Sequence, residues 1–287
     1  MQVSARFRRE IELHLIRNLV RYPLAGTPLL LAIHGAPGTG KSFQLDQILM
    51  DLNVTVVPIS SADLESDRAN DPAKLIRRSY LDLAEKMQME GIPACAIVIN
   101  DLDAGLGDWG ELVQTTVNRQ LVLGELMHLS DRPDAVEGSP NQRVPIFITA
   151  NDLSKIYAPV TRAGRMKKFH WAPTASELMH ILQSVYKDLP QSDVASILER
   201  FPDRPITFFV DALNAAIDES IGHLLETADT KSLLLAARRG QLQPAFQLNY
   251  DSVLQAAEHI ERQDSAVQDY SEQNVHNGRH RTIEGTE

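Results

Sequence analysis

Eight consecutive residues, Gly35-Ala36-Pro37-Gly38-Thr39-Gly40-Lys41-Ser42, constrain this chain more than any other stretch, because they satisfy G-x-x-x-x-G-K-[ST] at every fixed position. The glycines let the backbone curl until successive N–H groups converge on one point, a cradle for a pyrophosphate. The lysine can reach the β- and γ-phosphates, and the serine hydroxyl can ligate Mg²⁺. Such a loop works between a buried strand and a helix N-terminus, whose partial positive charge adds to phosphate binding. Both flanks comply. Leu29–Ile33 is an apolar run of strand length, and Phe43–Leu52 carries apolar residues at 45, 48, 49 and 52, the spacing of a helix. The expectation is a nucleoside triphosphate site.

Three more apolar runs, Val54–Ile59, Ala94–Ile99 and Val144–Thr149, read as strands, and Ala73–Glu90 and Glu111–Leu129 read as helices between them. Continuous rather than alternating apolar strands, interleaved with helices, predict an α/β fold whose parallel sheet is covered by helices on both faces. The segments 60–72 and Gly105–Gly110 are polar or Gly-rich and are expected to be loops. From Trp171-Ala172-Pro173 onward only helices are expected, over Thr174–Lys187, Val194–Arg200, Thr207–Glu226, Asp229–Arg239 and Leu248–Arg262. The predicted organisation is an N-terminal helix and linker (1–27), an α/β nucleotide-binding domain (28–172), a small all-α region with a C-terminal helix (173–263) and a polar, disordered tail (264–287). The N-terminal helix is expected to be amphipathic, with Leu13, Ile16, Leu19 and Val20 as its apolar stripe.

Composition removes several classes. A net charge of −10 argues against a general nucleic-acid surface. No apolar run approaches the ~20 residues of a membrane helix. The lone Cys95 cannot form an internal disulfide, and no Cys/His cluster has zinc spacing. The arginines at 6, 8, 9, 17 and 21 are interleaved with Glu10 and Glu12, the pattern of a folded helix rather than a transit peptide. A soluble protein of a reducing compartment is expected.

In a parallel sheet, the partners of a phosphate loop sit at the carboxyl ends of neighbouring strands. Asn100-Asp101 ends one apolar strand and Asn151 follows another. The first pair can hold Mg²⁺ and polarise the attacking water, while Asn151 can orient that water or the γ-phosphate. Asp103, two residues on, can steady the site. Arg162 and Arg165 follow closely behind and can supply positive charge to a transferring phosphoryl group from a neighbouring subunit. Surface arginines at this spacing would look the same. Trp109, on a Gly-rich loop, reads either as an apolar plug or as a substrate-gripping residue.

The segments A-D-L-E-S, V-I-N-D-L-D-A-G, R-V-P-I-F-I-T-A-N-D and Y-A-P-V-T-R-A-G-R-M-K-K-F-H-W-A-P together resemble the Rubisco activases of plants and cyanobacteria, a family of AAA+ ATPases. The resemblance runs from about residue 10 to 226 and more weakly through the C-terminal helix. It implies an AAA+ α/β domain followed by a helical lid, and hexameric rings with ATP and Mg²⁺ at subunit interfaces. By matched position, Gly35–Ser42 becomes the Walker A loop and Asn100-Asp101 the Walker B end. Asn100 then stands on the metal side and Asp101 at the catalytic acid position, reaching the metal through a water. Asn151 becomes sensor 1, and Arg162 and Arg165 reach the neighbour's nucleotide. Leu64, Glu65, Ser66 and Trp109 match loops that line a central pore. The implied client is Rubisco, freed of inhibitory sugar phosphates by ATP-driven pulling, in the cytoplasm or a chloroplast stroma, with no nucleic acid and no membrane as partner. Two departures stand out. The lid arginine expected to sense the γ-phosphate is not evident, His223 being the nearest candidate, and the extension that plant members use to engage Rubisco is missing. Two other readings follow: an AAA+ ATPase remodelling another protein, or a nucleotide-dependent assembly scaffold that hydrolyses little.

Overall fold

Five short strands form the frame of the N-terminal unit: β1 (Leu30–His34), β2 (Thr55–Ile59), β3 (Cys95–Ile99), β4 (Ile146–Ala150) and β5 (Met166–His170). The computed structural model describes residues 2–20, 26–60, 62–64, 71–106, 117–242 and 248–264. All strand pairings are parallel, in the order β2-β3-β4-β1-β5. Every residue of β3 and β4 is buried, which is why these runs carry no polar alternation. Each large aliphatic side chain in those strands contributes about 1.5–3 kcal/mol by leaving water.

The fifth strand was not among the expected ones, and its composition explains why. Met166-Lys167-Lys168-Phe169-His170 buries only Met166 and Phe169, because it lies at the sheet edge beside β1. Lys167 is not wasted there, since its ammonium pairs with Glu10. An edge strand that needs only part of one face buried leaves a weak apolar signal.

The helices of this unit are α1 (Ala5–Leu19), α2 (Lys41–Asp51), α3 (Asp71–Met89), α4 (Leu102–Leu106) and α5 (Val117–Asp131). Helix α1 starts where Ser4 accepts the Phe7 N–H, and it buries Phe7, Ile11, His14, Leu15 and Asn18. The predicted stripe is therefore the wrong face: Leu13, Ile16 and Val20 are exposed. The polar members His14 and Asn18 hide the true one, because each is buried to meet a backbone carbonyl. His14 Nε2 lies 3.1 Å from the Leu29 oxygen, and the Asn18 amide donates to the Pro28 oxygen at 3.1 Å. Part of the expected 105–110 loop is also helical. Helix α4 begins directly after Asp101, which takes a left-handed φ of 51° and turns the chain from strand to helix.

Residues 175–264 form a second compact unit, together with residue 2. It holds α6 (Ala175–Val185), α7 (Gln191–Arg200), α8 (Ile206–Thr227), α9 (Thr230–Arg238) and a last helix over 250–264. Pro190 and Pro205 immediately precede α7 and α8, where a missing N–H costs nothing. Leu182, Tyr186, Val194, Ile197, Phe201, Phe209 and Val253 build its core, and the Tyr186 hydroxyl donates to the Phe209 oxygen at 2.7 Å. Among the described residues no helix is long and apolar enough to cross a membrane.

Candidate functional site

The phosphate loop leaves β1 at Gly35 and becomes helix at Lys41. Gly35, Gly38 and Gly40 adopt φ of 152°, 72° and 77°, values that ordinary side chains resist. At Gly35 space is also decisive, since a Cβ there would stand 2.1 Å from the carbonyl oxygen of Trp171. Trp171 clasps the loop at both ends. Its backbone N–H donates to the His34 oxygen at 2.7 Å, and its indole N–H donates to the Thr39 oxygen at 2.8 Å. The ring is fully buried, packed edge-on against Phe7 of α1. Within the loop, the Thr39 hydroxyl donates to the Ala36 oxygen at 2.8 Å. The sequence reading passed over Trp171; its signal was a lone tryptophan ending a short run behind two lysines.

Lys41 is 6% exposed and donates to three oxygens at 2.9 Å each: the carbonyls of Gly35 and Ala36 and Oδ1 of Asn151. The last of these joins the two predicted residues across 110 positions of sequence. Burial pulls the Lys41 pKa below the ordinary lysine value, while the carboxylates of Asp101 and Asp103 pull it back up. The ammonium therefore sits at the mouth of the loop in a field set by two acids.

The strand ends are tied together by two residues. Thr149, fully buried in β4, accepts the Asp101 N–H at 3.0 Å and donates to Asn100 Oδ1 at 3.1 Å, and its oxygen lies 3.5 Å from the Ser42 hydroxyl. Asp103, 2% exposed, accepts the Asn151 N–H at 3.0 and 3.1 Å and the Asp152 N–H at 3.0 Å. One carboxylate thus fixes how the chain leaves β4, and one hydroxyl fixes how it leaves β3. Asp101 itself is exposed, so its carboxylate is free to face solvent or a ligand. Thr149 gave no sequence signal because it is one more residue of an apolar strand.

The set suits a magnesium nucleotide. The hydroxyl of Ser42, the carboxylate of Asp101 and the amide oxygen of Asn100 are hard oxygen donors. The described residues contain no group of three or more acidic, histidine or cysteine side chains that could hold a metal ion by themselves.

Arg162 and Arg165 occupy a turn between Tyr157 and Met166, away from these contacts. Arg165 grips Asp131, the last residue of α5, by Nε and one terminal nitrogen at 2.7 Å each. Its other terminal nitrogen donates to the Pro159 oxygen at 2.8 Å. Arg162 is exposed at the tip of the turn. Leu64 departs from expectation: it is 2% exposed and packed into the core of the α/β unit, so its side chain is not available to line a pore. Glu65, Ser66 and Trp109 lie outside the described residues. His223, in the helical unit, is exposed and stands 3.9 Å from Glu226.

Similarity to known proteins follows the same residues. The family model described as "ATPase family associated with various cellular activities (AAA)" matches residues 31–174. The chain is 40% identical over 227 residues to the ribulose bisphosphate carboxylase/oxygenase activase of Anabaena sp. (strain CA / ATCC 33047), covering 76% of this chain and 54% of that protein. To the activase of Nostoc sp. (strain PCC 7120) it is 39% identical over 215 residues, 72% of this chain and 52% of the other. To chloroplastic activase 1 of Nicotiana tabacum it is 38% identical over 223 residues, 75% and 50%. The chain spans about half the length of the curated relatives it matches. A parallel β2-β3-β4-β1-β5 sheet, a glycine loop leaving its β1 strand and a family match over half of the sequence agree: this chain belongs to the AAA family of ATPases.

Proposed function

We propose that this chain is the subunit of an ATP-driven ring that remodels Rubisco and releases inhibitory sugar phosphates from its active sites. The similarity to activases over three quarters of the chain supports the client. The observation that carries the chemistry is the Lys41–Asn151 contact, which brings the loop lysine and the end of β4 to one point beside Asp101.

In this reading the N–H groups of 35–42 hold the triphosphate and Lys41 neutralises its β- and γ-oxygens. Ser42, Asn100 and Asp101 would hold Mg²⁺, which when bound would supply positive charge beside the phosphates. Asp101, held in its left-handed conformation by Thr149, orients and accepts a proton from the attacking water. Asn151, fixed through Asp103, reads the γ-phosphate. An arginine from the 157–166 turn of a neighbouring copy stabilises the charge that spreads over the γ-oxygens, so cleavage needs assembly, for which a hexamer is the expected size. Residues 28–172 are the nucleotide-binding domain and 173–263 the helical lid and C-terminal helix. The compartment is that of the client, bacterial cytoplasm or chloroplast stroma.

The test is reactivation of sugar-phosphate-inhibited Rubisco by the purified chain. Carboxylation is expected to recover with ATP and Mg²⁺ and not with a non-hydrolysable analogue. Vigorous ATP hydrolysis without rescue would instead point to another protein client.

A further inference from the structure

A cavity of about 610 Å³ opens between α5 and the segment 154–158 that follows β4, within the α/β unit. None of the residues lining it belongs to the phosphate loop or to the strand ends. Small-molecule sites typically enclose about 300–1,000 Å³, so the space suits a compact organic ligand. Buried Leu123 and Ile156, with half-buried Met127, supply an apolar lining. Arg119 and Lys155 add positive charge, and Tyr157, 56% exposed, adds a ring and a hydroxyl. No acidic side chain lines the cavity among the described residues, in a chain with 38 acidic against 28 basic residues. Asp152 lies close enough to feel Lys155, but the Ser154 hydroxyl and N–H, at 2.6 and 2.9 Å, do most to hold its carboxyl below the usual range. An anion leaving water needs cationic or donor partners, whereas an apolar body needs only surface to cover. Two cations beside an apolar lining therefore select a molecule with both parts.

The wall of this cavity is also an extension of the nucleotide site. Residues 154–158 leave β4 through Asn151 and Asp152, whose N–H groups both rest on the Asp103 carboxylate at 3.0–3.1 Å. Residues 153–155 form a single tight turn, closed by the Ile156 N–H on the Leu153 oxygen at 3.2 Å, and both of those side chains are buried. Four residues thus separate the lysine of the wall from Asn151, whose Oδ1 accepts from the Lys41 ammonium at 2.9 Å. A ligand that shifts or braces the wall acts on the residue touching the loop lysine.

We propose that this cavity binds a small amphiphilic anion, an apolar and preferably aromatic body carrying one carboxylate, sulfonate or phosphate, and that its occupancy adjusts ATP turnover through residues 151–155. Leu123, Met127 and Ile156 take the apolar body, Tyr157 covers it, and Arg119 and Lys155 meet the anionic group. The binding stands on the cavity alone; its effect on turnover rests on the ring-ATPase reading above.

The probe is anilinonaphthalene sulfonate, an aromatic anion whose fluorescence rises in apolar surroundings, with uncharged phenylnaphthylamine as its control. Wild-type protein should bind one sulfonate probe per chain, and the uncharged control at least ~10-fold more weakly. Arg119→Glu and Lys155→Glu should each weaken the sulfonate at least ~10-fold and leave the control unmoved. Met127→Trp, which fills the space, should weaken both. Saturating ATP with Mg²⁺ should alter the affinity without displacing the probe, because two coupled sites act on each other equally. Steady-state phosphate release should show kcat shifted at least ~2-fold by the probe in wild type and unshifted in Lys155→Glu. Equal binding of probe and control, wild-type affinity in both charge reversals, or full displacement by ATP overturns the proposal. So does loss of the probe as protein concentration rises into the assembling range, since a neighbouring copy then covers the cavity. Tight binding that leaves kcat unmoved overturns the effector role. If the wild-type chain hydrolyses no ATP, the ring-ATPase reading fails, and the probe titrations still decide the site.

Discussion

The two units of this molecule bury different things. Eleven polar or charged residues are buried among the described residues, from Ser4 to Thr161, and every one belongs to the α/β unit. The helical unit encloses aliphatic and aromatic side chains and meets solvent with its charges, as in Arg204 with Glu261 and Arg200 with Glu258. Burying a polar group costs a few kcal/mol unless each donor and acceptor is met. A unit that carries many must place them by specific bonds, and those of Thr39, Lys41, Asp103 and Thr149 meet at the loop and the strand ends. The helical unit needs only volume and pattern. Polar burial therefore marks where geometry is held tightly enough for chemistry, and apolar burial marks where the chain has only to pack.

That contrast breaks most visibly at Lys41. Replacing it with alanine removes charge-assisted contacts worth about 1.5–3 kcal/mol each and leaves Asn151 without its partner. Nucleotide binding, followed by a fluorescent ATP analogue, should weaken by at least ~10³-fold, and the melting temperature should fall with the loss of these contacts. In the helical unit the counterpart is Phe209, fully buried among Tyr186, Phe208 and neighbours. Phe209→Ala should cost about 3–4 kcal/mol of stability by cavity formation. Denaturant unfolding should show that loss, whereas titration with nucleotide below the transition should show the wild-type affinity. A Phe209 variant as stable as wild type would mean that this core is looser than its packing implies.

Legibility followed the same division. The glycine loop, four of the five strands and the order of helices could be read because buried parallel strands and amphipathic helices leave periodic marks. The Lys41–Asn151 contact was foreseeable only as a neighbourhood, since sequence places Lys41 in the loop after one strand and Asn151 at the end of another without fixing which atoms meet. What escaped was polar burial. His14 and Asn18 look like surface residues on α1, so sequence pattern points to the exposed stripe of Leu13, Ile16 and Val20 as the inner one. Thr149 and Trp171 look like ordinary core, and their hydrogen bonds to Asp101, Asn100, His34 and Thr39 exist only once the strands are laid side by side. Arginines at 162 and 165 share a type and a turn, and only Asp131, 34 residues from Arg165, tells them apart.

Thr149 sharpens the comparison because valine has its shape. Thr149→Val keeps the packing of β4 but leaves the Asp101 N–H and the Asn100 oxygen without their partner. A loss of about 2 kcal/mol in the transition state corresponds to roughly 30-fold in kcat. ATP affinity should move far less, and Thr149→Ser should restore the rate. Equal rates for valine and serine would show that the hydroxyl does not hold the acid in place.

The smallest expected effect concerns His14, a buried polar group remote from the nucleotide loop. Its Nε2 lies against the Leu29 carbonyl, so the neutral ring carries its proton there. Burial drives its pKa from 6.5 down to about 3; the Leu29 bond resists this, and Lys167, Arg143 and Arg17 reinforce it. Below pH 6.5 the unfolded chain therefore binds a proton that the folded chain refuses. Stability must fall as pH falls through that range, by up to about 1.4 kcal/mol per pH unit. Between pH 7 and 5.5 His14 accounts for about 1 kcal/mol of the loss. His14→Gln can still donate to a carbonyl but does not titrate, so its melting temperature should decline less steeply than wild type over that interval, even if it starts lower. Parallel declines would mean that the ring accepts its proton inside the fold, and that polar burial in the α/β unit is less strict than the strand-end network suggests.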